Sequence, residues 1–281
     1  MMEEKNLLYV VTKIQKEENI PIEGRFFEER IWEFLISLRY LANYQGEVVA
    51  FDYGSDPQIL EKMGDFGVKV IPLPIDKEWK VLVERNLTNR RNIDVIPLLE
   101  QHYKDYKFLT FDFDCWFQES IDEFWAELDD IEGCYYSVEH GRTCRYRGPD
   151  SDKVRQEYDV IQNRLGGFVW GGLQSGKFKP HLDRLKLMTN LFLEGGWALE
   201  TWGTDQSLIT YTVDFEKDKL DAWRWGFEWY CVELKGKKVV SKMPWYDGPI
   251  GVIHLNASLN RGKSEFCRFK NLHPDLWNKY K

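Results

Sequence analysis

Two short apolar runs with an amphipathic stretch between them constrain this chain most. Leu7-Leu8-Tyr9-Val10-Val11-Thr12 is rich in strand formers and shows no polar alternation, so it reads as a buried strand. Ile31, Phe34, Leu35, Leu38 and Leu41 then recur at helical spacing, which predicts a helix over residues 28–44 that Gly46 stops. Glu47-Val48-Val49-Ala50-Phe51-Asp52 is a second buried strand. Strands joined through a helix pair in parallel, since a parallel pair needs a long crossover and an antiparallel pair only a tight turn. The chain is therefore expected to be α/β, with a largely parallel sheet between helices.

The alternation continues. Asp56 and Pro57 read as the N-cap and first residue of a short helix that Gly64 closes. Val68–Ile71 is a third strand, and residues 94–103 form a helix that tolerates Pro97 in its first turn. A fourth strand from Lys107 runs into Asp112-Phe113-Asp114. Side chains alternate along a strand, so an extended backbone would put both acids on one face. Paired carboxylates there suit a hard divalent cation, and strand ends are where open α/β sheets take ligands. A solvated strand end is the plainer alternative. Ser120 and Glu123 make a capping box for a helix through Leu128.

The second half is less regular. Residues 133–138 read as a strand, and 139–165 as a long polar stretch carrying Arg142, Arg145, Arg147, Arg155 and Arg164, which suggests a lid, a binding loop or disorder. Gly166-Gly167-Phe168-Val169-Trp170-Gly171-Gly172 is either a strand with tight turns or a backbone that approaches a ligand closely. Phe178–Leu193 is a helix, Thr204 caps another, residues 227–242 form a hairpin around Gly236, and residues 249–254 are a last strand ending in His254. Neither G-x-G-x-x-G nor a Walker-type loop is present. No linker divides the chain, so residues 1–281 are taken as a single domain.

The net charge of −8 argues against nucleic acid as the main partner; a polyphosphate substrate would need a metal or local Arg and Lys to offset it. The 12 Trp, 14 Tyr and 17 Phe make either a bulky core or a groove for flat sugar and base faces. Trp197, Trp202, Trp223, Trp225, Trp229, Trp245 and Tyr246 crowd the C-terminal half. The cysteines are scattered with no C-x-x-C, which speaks against a disulfide framework or zinc site. No run approaches the roughly 18 apolar residues of a membrane span, and the acidic N-terminus is unlike a signal peptide. A cytoplasmic protein is expected.

In order and spacing these pieces resemble the GT-A class of nucleotide-sugar-dependent glycosyltransferases. The resemblance is carried by the strand-helix-strand running into Phe51-Asp52-Tyr53-Gly54, and by Arg90-Arg91. It continues through the D-x-D at Asp112 and Asp114, the strand Gly166-Gly167-Phe168-Val169, Thr204-Asp205-Gln206-Ser207-Leu208, and Ile253-His254-Leu255. It implies a Rossmann-like mixed, mainly parallel sheet, with residues 1–130 binding a nucleotide sugar and a less regular acceptor half over 131–281. It also implies Asp112, Asp114 and His254 as ligands of Mn²⁺ or Mg²⁺. Thr12, Asp52 and Arg90 would contact the nucleoside or phosphates, together with Asp112, and Lys263 would add positive charge. Asp205 or Gln206 would lie near the sugar.

The implied reaction moves a hexose from a nucleoside diphosphate, UDP first, to a glycan or other hydroxyl. The glycogenin-like retaining branch follows its histidine with a glycine and then Lys-Pro-Trp, whereas this chain has Asn256–Gly262 before Lys263, so stereochemistry stays open. Two other readings remain: a sugar-binding protein on the same scaffold, and a phosphatase of the haloacid-dehalogenase type, whose D-x-D normally opens the fold.

Overall fold

The computed structural model describes residues 5–12, 27–73, 92–197, 204–221, 224–244, 246–255 and 263–281. Strand β1 (Lys5–Thr12), helix α1 (Phe27–Tyr40) and strand β2 (Glu47–Asp52) form the expected unit, and β1 pairs β2 in parallel. Helix α2 (Pro57–Asp65) starts at Pro57, and the Asp56 carboxylate accepts from the Gln58 amide. It runs one residue past Gly64; the chain turns instead at Gly67, whose φ of +68° favours glycine. Strands β3 (Val68–Pro72) and β4 (Tyr106–Phe111) follow, with α3 (Ile96–His102) between them.

The main sheet runs β3-β2-β1-β4-β8-β6-β7, with β7 at Gly167–Val169 and β9 (Lys219–Asp221) beside β6. Its first four strands are parallel, while β8 (Leu173–Lys177) lies antiparallel between β4 and β6 (Cys134–His140). The sheet is therefore mixed and mainly parallel. Both faces are covered. Leu8 and Val10 pack with α1 on one side, while Leu7 and Tyr9 face the core that includes Leu99 of α3 and Leu185 of α6 (Phe178–Leu193). Burial on both faces is why β1 and β2 read as unbroken apolar runs.

A second, three-stranded sheet runs β10-β13-β5, from Phe227–Glu228, Val252–His254 and Cys115–Phe117. The β11–β12 hairpin (Val232–Lys235, Lys238–Ser241) turns at Gly236, φ +67°.

Two expectations are corrected here. Residues 139–165 are not one long loop. They hold the end of β6, a coil, and helix α5 (Asp152–Leu165), which is capped by Ser151 and closed by Gly166 in the left-handed conformation. Nor do Ser120 and Glu123 form a reciprocal box on α4 (Asp122–Asp129). Ser120 Oγ accepts from the Asp122 amide, and Glu123 pairs with Arg224 instead of reaching back. Among the described residues no helix is long and apolar enough to cross a membrane.

Candidate functional site

The site forms where the chain passes from one sheet to the other. Strand β4 ends at Phe111 and β5 begins at Cys115, so Asp112-Phe113-Asp114 is a turn. This corrects the expectation of two acids on one face of an extended strand: the crossover gathers the carboxylates, and strand pleating does not. Backbone bonds pin both ends of the turn. The Asp112 amide donates to the Gly172 carbonyl (2.9 Å), and the Leu255 amide donates to the Asp114 carbonyl (2.7 Å). Register in the small sheet does the rest. His254 lies opposite Cys115, and Glu228 pairs beside His254. As a result Asp112, Asp114 and His254 each bring one ligand atom within 4.8 Å of the others.

His254 bridges two acids. Its Nε2 is 3.2 Å from Asp114 Oδ1, and its Nδ1 is 2.7 Å from Glu228 Oε1. Burial pulls the imidazolium pKa down, but Glu228 and Asp114 outweigh that and hold it well above the ordinary imidazole value. The donor set fits a divalent cation. Two carboxylates and one imidazole converge, and the far nitrogen of the ring is held by a buried carboxylate, as in most histidines that ligate metal.

Sequence reasoning missed Glu228 and Glu139. Both are buried, and among the described residues Glu228 Oε2 has no hydrogen-bond donor. Glu139 is pushed up to about 8, by burial first and then by Glu228 beside it. It accepts hydrogen bonds from Arg142 Nη1 (2.8 Å) and from Tyr230 (3.3 Å). The signal was present, since each acid interrupts an apolar run (Tyr136-Ser137-Val138-Glu139 and Phe227-Glu228-Trp229) and a buried acid needs a partner.

The other sequence-picked residues divide. Helix α7 (Thr204–Tyr211) begins beside the cluster, with Asp205 buried and its Oδ1 accepting from the Gln206 amide (2.9 Å). Two successive glycines join this helix to the acids. A Cβ added at Gly171 would sit 3.3 Å from Gln206 Cβ, and one at Gly172 would sit 2.7 Å from Asp112 Oδ2. The Gly166–Gly172 stretch thus holds the strand of its first reading, β7 (Gly167–Val169), and its last two glycines lie against site side chains. The Trp170 ring lies 4.8 Å from that of His254.

Thr12 and Asp52 leave the same C-terminal edge of the parallel strands. The Thr12 hydroxyl donates to Asp52 (2.7 Å), and Asp52 also accepts from the Gly54 and Ser55 amides and the Ser55 hydroxyl. The Asp52 carboxylate is thus engaged in organising its own turn. Lys263 is exposed and makes no ion pair among the described residues. Arg90, Arg91, Trp202, Trp223 and Trp245 lie outside the described residues. Trp197 and Trp225 are core residues, while Trp229 and Tyr246 are half-buried against the core.

No family model and no curated protein matches the sequence. Solved structures do match in shape. Mouse xyloside xylosyltransferase 1 in its apo form aligns at a TM-score of 0.51 and 14% identity, over 90% of this chain and 97% of that one. An active-site mutant of LgtC aligns at 0.54 and 13%, over 96% and 95%. Galactosyltransferase LgtC with donor and acceptor sugar analogs aligns at 0.52 and 12%, over 98% and 100%. The chain has the GT-A fold. At 12–14% identity the likeness is one of architecture. Within the GT-A frame, Asp112, Asp114 and His254 stand at the junction of the two sheets, with α7 opening beside them.

Proposed function

We propose that this protein is a metal-dependent glycosyltransferase that moves a hexose from a nucleoside diphosphate sugar, UDP being the first candidate, to a hydroxyl of a glycan or other acceptor. The observation that carries the reading is the convergence of Asp112, Asp114 and His254 at the sheet junction of a GT-A fold. Those three residues would hold Mn²⁺ or Mg²⁺. When bound, the ion supplies Lewis-acid charge against the leaving diphosphate.

The chain's own residues supply the rest. Residues 1–130 take the donor, with Thr12 and Asp52 at the base and ribose and Arg90 and Lys263 offsetting phosphate charge. Residues 131–281 take the acceptor, and the half-buried Trp229 and Tyr246 offer faces on which a sugar ring can stack. Asp205 would take the acceptor proton if the reaction inverts; Gln206 would be the group beside the sugar if it retains. The five cysteines are free, which supports a cytoplasmic setting.

Thermal melting with Mn²⁺ and a panel of nucleotides tests the donor site, because a ligand that binds only the native state raises the midpoint. The expected result is a rise with UDP that requires Mn²⁺ and is absent in Asp114→Ala. Release of free UDP from a UDP-sugar separates an enzyme from a binder. A panel in which no nucleotide moves the midpoint would overturn the donor reading.

A further inference from the structure

We infer that Glu228 is a positioning residue for the candidate metal centre: it fixes which nitrogen of His254 faces Asp114. This rests on the metal reading above. An imidazole can offer a lone pair from only one nitrogen while the other keeps its proton. Here Nε2 is the nitrogen on the Asp114 side, so the proton must stay on Nδ1. Glu228 Oε1, 2.7 Å from Nδ1, is the acceptor that keeps it there.

The backbone sets this contact. Strand β10 is only two residues long, and its second residue pairs in parallel register with His254 itself. Glu228 therefore cannot shift along β13 without breaking that pairing. It is 3% exposed and meets the ring on the nitrogen opposite Asp114, so it acts through His254. Its other oxygen is buried and has no hydrogen-bond partner among the described residues, and Glu139 is its acidic neighbour. Glu139 is tied in turn to Arg142, which is half exposed, and to Tyr230. A line of polar groups thus runs from the surface at Arg142 through Glu139, Glu228 and His254 to Asp114.

Mn²⁺ binding, followed by the paramagnetic resonance signal of the free ion with and without UDP, tests this without turnover. Glu228→Ala is expected to raise the Mn²⁺ Kd on the order of 10–100-fold. Glu228→Gln, which keeps an oxygen for the Nδ1 proton, should recover a large part of that loss. A purely structural glutamate would show no such rescue in metal affinity. Should the alanine variant fail to fold, Glu228→Met, of similar volume and without an acceptor, gives the same reading.

A folded Glu228→Ala or Glu228→Met protein with the wild-type Kd overturns the positioning role alone, provided Asp114→Ala has lost the ion. If the wild type binds no Mn²⁺, or Asp114→Ala binds it as tightly, the metal reading falls and this role falls with it.

Discussion

His181 and His254 are both buried, at 2% and 7% exposure, yet their surroundings shift their pKa values in opposite directions. His181, on α6, lies against Phe108 and Tyr9, and its Nε2 is 2.8 Å from the Tyr9 hydroxyl. Among the described residues no carboxylate pairs with it, and burial takes its pKa down to about 3. His254 meets Glu228 on one nitrogen and Asp114 on the other, and they lift it well above the usual value against the same burial penalty. The difference shows how this fold divides its work. Around β1 and β4 the sheet builds a dry aromatic core in which a histidine is neutral filler. Where the two sheets meet, the crossover after β4 and the register of β13 bring buried acids to a histidine. Burial sets the cost of charge; the partners decide whether charge is kept.

The largest expected effect comes from breaking the charged side. Asp114→Ala and His254→Ala each remove a ligand of the candidate centre, and each should lower transferase turnover at least about a hundredfold, roughly 3 kcal/mol of transition-state stabilisation. His181→Leu should leave Mn²⁺ affinity and turnover unchanged. It should instead cost about 1–3 kcal/mol of folding stability, because the buried hydrogen bond between His181 and the Tyr9 hydroxyl is lost. Metal titration and urea unfolding of the three variants read both quantities. A change of Mn²⁺ affinity in His181→Leu would break the comparison.

Acid unfolding should separate the two histidines by sign. The folded pKa of His181 lies below its ordinary 6.5, so the unfolded chain takes up the proton first as pH falls. Its share of stability is lost from pH 6.5 down to about 3, at up to about 1.4 kcal/mol per pH unit. The folded pKa of His254 is raised, so its share is complete below pH 6.5 and is lost as pH rises through the folded value. Glu139 works in the same direction as His254. Raised from 4.5 to about 8, it opposes folding progressively as pH climbs between those values. Unfolding free energies of wild type and His181→Leu from pH 7 to 4 should therefore converge as the pH falls. Parallel curves would mean that the His181 site admits water.

The two regions also differ in how far the sequence revealed them. Strands β1 and β2 and helix α1 were legible because burial on both faces of a parallel strand and on one stripe of a helix each leave a periodic trace. The grouping of Asp112 and Asp114 was legible too, but their geometry was not, since nothing local says that β4 stops at Phe111 and the chain changes sheets. Helix α5 was hidden because Tyr158, Gln162 and Leu165 are its only buried residues and the charges around them mask the period. Glu228 was hidden for another reason. Its role depends on pairing with a strand 26 residues away, and register between distant strands has no local signature.

The smallest expected effect sharpens the account of His181. Tyr9→Phe removes one oxygen and keeps the ring that packs edge-on against Phe51 and Phe108. The lost hydrogen bond should cost about 1 kcal/mol at pH 7. Because burial is the one cause of the low His181 pKa, the variant should keep the His181 contribution to the slope of stability against pH below 6.5, shifted down as a block. Unfolding at pH 7 and pH 5 checks it, with the difference between the two pH values equal to that of wild type. A markedly shallower slope would mean that Tyr9 donates its proton to Nε2 and helps to keep the ring neutral. His181 would then be governed by a partner, as His254 is, and the contrast between the two regions would be one of partner type, with burial secondary.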